Sequence, residues 1–145
     1  MKINTKYHET IEIDENLVIH FDNGIPGLPE YKRFVLLPLS DDGVYQVLQS
    51  LDNQEIGFVV VNPFFVKPDY DITLDDKTVQ QLEIENEIDV NLVSIITLRD
   101  PFNNSTLNLA APVVVNITNR KAKQVILQNT NYSIREPLHV LVEKG

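Results

Sequence analysis

Three histidines, a spaced run of carboxylates and one glycine–proline turn are the residues whose types could do chemistry in this chain. His8, His20 and His139 lie far apart, and none has a partner two or four residues on that would prefigure a metal site. Each reads as a solvated strand histidine. Asp69-x-Asp71-x-Thr73-x-Asp75 has the spacing of the start of a calcium loop. Its sixth position would be Leu74, where the sharp turn needs glycine, and its twelfth would be Gln80, where the ion needs a bidentate glutamate. The run therefore reads as an acidic loop leading to a capped helix. Gly24-Ile25-Pro26-Gly27 is too short to cradle a phosphate, and Pro26 carries no N–H. Gly24, Pro26 and Gly27 read instead as a rigid structural turn that uses positive φ. No Gly-x-Ser-x-Gly, His-Glu-x-x-His, P-loop or Gly-x-Gly-x-x-Gly occurs. Acids such as Glu55 and Glu85 have no second carboxylate that the sequence places beside them for acid–base work. The expectation is a chain with no catalytic set, no metal and no cofactor, hence not an enzyme.

Binding chemistry is better represented. Asn62-Pro63-Phe64-Phe65-Val66-Lys67-Pro68-Asp69-Tyr70 combines two stiffening prolines with three aromatics. Preorganised aromatics make good interface anchors. The competing account is that Phe64 and Phe65 close the end of the fold as core, since apolar side chains mostly go inside. Just upstream, Leu48–Asp52 and Gly57–Asn62 read as the two arms of a hairpin whose edge could offer backbone groups to a partner. The candidate partner surface is thus Gln49, Ser50, Leu51 and Asp52 with Pro63, Phe64, Phe65 and Tyr70. Asp69, Asp71, Asp75 and Asp76 would form its negative rim.

The elements that must position these residues are mostly strands. Apolar residues recur at period two in Lys2–Tyr7, Thr10–Ile13, Leu17–Phe21, Phe34–Leu39, Tyr45–Leu51, Gly57–Val61, Leu92–Leu98, Asn108–Ile117, Gln124–Gln128 and Leu138–Val142. Turn signals such as Asp22-Asn23-Gly24 and Asp41-Asp42-Gly43 separate the runs. Many short strands joined by tight turns predict an all-β barrel or sandwich of antiparallel strands. One short helix is expected near 75–84, capped by Asp75, with Val79 and Leu82 on one face. The acidic stretch Glu83–Asp89 reads as a charged linker or edge strand.

The chain has 145 residues, which predicts one domain over 1–145 with a sizeable core. It has no cysteine, which excludes disulfides, thiol catalysis and cysteine-ligated metal. The N-terminus alternates instead of running apolar, and no stretch approaches a membrane span, so a cytoplasmic location is expected. Twenty-one acids against 12 bases give a net charge of −9. That field repels nucleic acid and anionic membrane and draws basic partners, although acidity also serves solubility.

Phe21-Asp22-Asn23-Gly24-Ile25-Pro26-Gly27-Leu28-Pro29-Glu30-Tyr31 followed by Phe34-Val35-Leu36 resembles the opening of the flagellar assembly factor FliW family. So do Leu48-Gln49-Ser50-Leu51-Asp52 with Phe58 and Asn62-Pro63, Asn108–Asn116, Gln124-Val125, and Tyr132-Ser133-Ile134-Arg135. The similarity runs over nearly the whole chain, in order. Leu28 and Val113 are mild departures. The resemblance implies a protein that binds CsrA, a small dimeric translational repressor, and stops it from repressing the flagellin message. It also implies flagellin as a competing partner, and a monomer that forms heteromeric complexes without touching nucleic acid or membrane. Two other classes compete. An OB-like nucleic-acid-binding barrel would want a basic groove, which the charge argues against. A hydrolase or isomerase on a β scaffold would need a clustered acid or histidine set.

Overall fold

Alternation along the central strands buries both faces of one sheet. The computed structural model describes residues 1–128 and 130–138. Its strands are β1 Lys2–Ile3, β2 Ile11–Glu12, β3 Ile19–His20, β4 Arg33–Pro38, β5 Tyr45–Ser50, β6 Gly57–Val61, β7 Val90–Thr97, β8 Thr106–Leu107, β9 Val113–Asn116, β10 Ala122–Gln124 and β11 Glu136–Pro137. Two short helices, α1 Pro63–Val66 and α2 Asp76–Gln81, lie between β6 and β7. The expected all-β architecture is the observed one, with helix as a minor component.

The main sheet runs β10-β9-β7-β6-β5-β4-β3, with every adjacent pair antiparallel. A single parallel bridge, His20 to Lys121, joins the two ends, so the sheet curls into a barrel. Phe34, Leu48, Val60, Val93, Val113 and Val115 fill the inside with Ile19, Phe21 and Ala122. Alternate residues of the same strands, Val59, Val61, Leu92, Ile96 and Val114, face outward. Val66, Tyr70, Leu82, Val125 and Leu138 cover them. On the other flank, the β1–β2 hairpin lays Ile3 and Ile13 over Val35 and Leu37.

Several expected elements are shorter than the periodicity suggests, for identifiable reasons. Thr5 ends the first strand by bonding His8 through both its hydroxyl roles. Leu17 sits in a 3-10 turn, Glu15–Leu17, capped by Asp14, and is half exposed instead of paired. The 108–117 run keeps only Val113–Asn116 as a strand: Asn108 captures the Ala110 N–H, and Pro112 has none to give. The same two residues cut the 124–128 run down to Gln124, since Val125 and Leu127 donate to Pro112 and Ala110 without a return bond. Glu83–Asp89 forms neither strand nor simple linker; it ends in a 3-10 turn, Glu87–Asp89. Of Leu138–Val142, all but Leu138 lies outside the described residues.

Helix α2 forms where expected, with the Asp75 carboxylate accepting the Thr78 N–H at 2.8 Å. Helix α1 replaces the expected loop. Asn62 accepts the Phe64 N–H at 2.9 Å, and Pro63 sits at the first helical position. That position needs no N–H, so the proline starts a helical turn and does not merely stiffen a loop.

Candidate protein-binding surface

The expected surface divides into two parts with different physics. Register decides this. Gln49 pairs with Gly57 and Tyr45 with Val61, so the Gln49 end and the Asn62 end of the β5–β6 hairpin are separated by roughly 13 Å of strand. Nor is the hairpin an edge: β5 and β6 are central strands, flanked by β4 and β7.

At the first end, Gln49 and Ser50 are interior residues, 0% and 1% exposed, which corrects their placement on an open surface. Gln49 Oε1 accepts the Lys6 N–H at 2.8 Å, and its amide donates to the carbonyls of Ser50, Gln54 and Ile56 at 3.0–3.2 Å. Ser50 Oγ accepts the N–H groups of Asp52 and Asn53 at 3.0 and 3.1 Å. Buried polar groups persist when they are satisfied in this way. Leu51 is half-buried and packs against the β1–β2 cluster, while Asp52 pairs with Arg33.

At the other end, one helical turn separates side chains by face. Pro63 and Val66 point into the core; Phe64 and Phe65 remain 42% and 49% exposed. The contest between core and surface is thus decided toward the surface for both phenylalanines, and toward the core for Pro63 and Tyr70. Tyr70 is 3% exposed and donates its hydroxyl to the Leu109 carbonyl at 2.6 Å. Burial, then the neighbouring Tyr132, pushes its phenol far above the ordinary range.

The exposed Phe64 ring meets Tyr70 edge-on at 5.7 Å, and Tyr70 meets Tyr132 at 4.6 Å. The Tyr132 hydroxyl accepts the Asp71 N–H at 2.8 Å and donates to the Asp71 carbonyl at 3.1 Å. Beyond Tyr132 opens a groove of about 320 Å³ between the loop 71–75 and the segment 125–128 with Thr130. Asp71 and Asp75 line it, with Ile72, Ile126 and Leu127. Hydrogen bonding from Thr78 holds the Asp75 carboxyl below the ordinary carboxylate range, so this wall stays negative. Tyr132 and Ile126 were not among the expected surface residues. They join Asp71 and Ile72 only through folding, across some 60 residues of chain.

The expected chemistry-bearing groups are dispersed. Asp75 is occupied as a helix cap, and among the described residues no three His, Cys, Asp or Glu side chains are grouped to hold a metal. His8 bonds the Pro38 carbonyl at 2.8 Å, His20 sits exposed at the barrel closure, and His139 lies outside the described residues. No helix among the described residues is long and apolar enough to cross a membrane.

The FliW protein family model matches residues 2–138. A flagellar assembly factor FliW of Geobacillus sp. (strain WCH70) is 50% identical over 138 residues, covering 95% of each chain. The FliW of Bacillus subtilis (strain 168) is 44% identical over 138 residues, covering 95% of this chain and 96% of that one.

This chain belongs to the FliW family.

A crystal structure of the flagellar assembly factor FliW superimposes with a TM-score of 0.90 at 48% identity, covering 95% of this chain and 96% of that one. The FliW-like residues on which the sequence resemblance rests are largely framework. Gln49 and Ser50 lock a turn. Ile25-Pro26-Gly27-Leu28 forms a turn with Leu28 N–H on the Ile25 carbonyl at 2.7 Å and Gly27 at φ +87°, the arrangement that favours proline then glycine. Gly24 has φ +69°, and a Cβ there would lie 2.6 Å from Pro29 backbone atoms. No other residue fits that approach without displacement.

Proposed function

We propose that this FliW-family chain is a non-catalytic, cytoplasmic binding protein that engages CsrA and flagellin. Bound to CsrA, it relieves repression of the flagellin message; flagellin competes for it and releases CsrA. Family membership over residues 2–138 is the observation that carries the reading. The net charge of −9 suits a basic, RNA-binding partner. The exposed Phe64 and Phe65 offer aromatic anchors, the residue type from which interface energy usually comes, and Phe64 connects through Tyr70 and Tyr132 to the groove lined by Asp71 and Asp75. The same charge disfavours direct contact with RNA.

Titration of purified chain with CsrA, alone and with flagellin added, tests this. Both proteins bind, flagellin displaces CsrA, and the CsrA association rate falls as salt rises because opposite charges steer the encounter. A chain that binds neither partner overturns the reading.

A further inference from the structure

The barrel closes on one bridge only, and past that bridge its last strand has an open side. Strand β3 meets the chain at Lys121; from there β10 and its continuation run on to Gln128, and among the described residues they pair only with β9 and the 110–112 segment before it. Backbone direction along the continuation follows from its bonds. Val125 and Leu127 donate to Pro112 and Ala110 at 2.9 Å, so both N–H groups point toward the 110–112 segment. Alternation turns the N–H and C=O of Ile126 the opposite way. Among the described residues neither group has a hydrogen-bond partner, and the Gln128 N–H has none either. The Ile126 side chain is 62% exposed. This unpaired stretch lines the same groove as Asp71 and Asp75, and among the described residues no basic side chain lines it. Lys77 and Lys123 act on Asp75 from outside the groove, and their charges help to keep its carboxylate ionised.

We infer that the 124–128 edge accepts an extended segment of a partner protein as an added strand, and that this segment alternates basic with apolar residues. Main-chain bonds to Ile126 would supply affinity, the apolar residues would pack on Ile126 and Ile72, and the basic ones would face Asp71 and Asp75. The inference rests on the reading of this chain as a protein-binding factor, but not on which protein it binds.

The probe is the capped peptide acetyl-(Lys-Val)3-amide, titrated to millimolar concentration against the full chain with backbone amides followed by NMR. Binding shifts and protects the amides of Ile126 and Gln128. Replacing lysine by glutamate in the peptide weakens binding at least tenfold. Ile126→Pro removes the outward N–H at a position where an edge strand tolerates proline, and weakens binding at least tenfold, whereas Ile126→Ala keeps the N–H, loses only side-chain packing and weakens binding less than Ile126→Pro does. If Ile126→Pro fails to fold, a peptide N-methylated at alternate residues replaces it and binds at least tenfold more weakly to the unaltered chain. Absence of shifts at the edge, equal binding of the glutamate or N-methylated peptide, or an Ile126 amide already protected in the free protein overturns strand addition. Any of these alongside intact CsrA or flagellin binding leaves the proposed function standing.

Discussion

The two ends of the β5–β6 hairpin invert the usual rule: the polar Gln49 end buries Gln49 and Ser50, and the apolar Asn62 end exposes the rings of Phe64 and Phe65. At the Gln49 end, a buried amide and a buried hydroxyl spend their hydrogen-bonding capacity on the backbone of residues 6, 50, 52, 53, 54 and 56. Both side chains are buried, out of a partner's reach. At the Asn62 end, capping is local, and one helical turn leaves two phenylalanines exposed, with Phe64 edge-on to Tyr70. The family resemblance takes in residues at both ends, Gln49–Asp52 and Asn62-Pro63, so resemblance alone does not separate framework from interface. Satisfaction of polar groups and exposure of apolar ones do.

The comparison breaks first at Tyr70, which sits beneath the exposed end but belongs to the core. Tyr70→Ala should cost about 3–5 kcal/mol of stability, because a buried aromatic is lost from beneath Phe64 and Tyr132. Tyr70→Phe keeps the ring and should cost about 1 kcal/mol, for the bond to Leu109. Urea denaturation gives both. A Tyr70→Ala chain that melted like the parent would place the ring in the surface and erase the boundary drawn here.

Gln49 sharpens the opposite end. Gln49→Ala strands the Lys6 N–H and empties a packed site, so a loss of about 1–3 kcal/mol is expected. Affinity for partners, measured on the folded fraction, should stay unchanged. Weaker binding by a fully stable variant would restore the Gln49 end as interface.

The smallest effect concerns Asp75, which both caps α2 and lines the groove. Its carboxyl is held below the ordinary range, so the stability it contributes is fully present above about pH 4 and is lost as pH falls through its lower folded value. The stability gap between the parent and Asp75→Ala should therefore close on acidification. A gap that stayed constant down to strongly acidic pH would mean that the charge of Asp75 contributes nothing to the cap.

Much of this was legible in the residues. Period-two alternation marked the central strands, and the Asp75 cap with Val79 and Leu82 on one face marked helix α2. The FliW-like turn around Gly24 and Gly27 carried its positive φ in its glycines. Helix α1 escaped because four residues cannot show a helical period; only the Asn62-Pro63 cap signal could have found it. The separation of the two hairpin ends was legible in principle, since pairing Gln49 with Gly57 sends Asn62 to the far side. The groove was not. It needs Tyr132 against Asp71 and Ile126 near Ile72, contacts that no local pattern encodes.

The most direct test is the affinity of the Phe64→Ser, Phe65→Ser double variant for CsrA and for flagellin, measured beside its melting curve. Both rings are exposed, so stability should move little, while loss of the anchors should weaken at least one partner by about 2 kcal/mol, roughly thirtyfold. Unchanged affinity for both partners in a folded variant would contradict the account and move the binding surface away from α1.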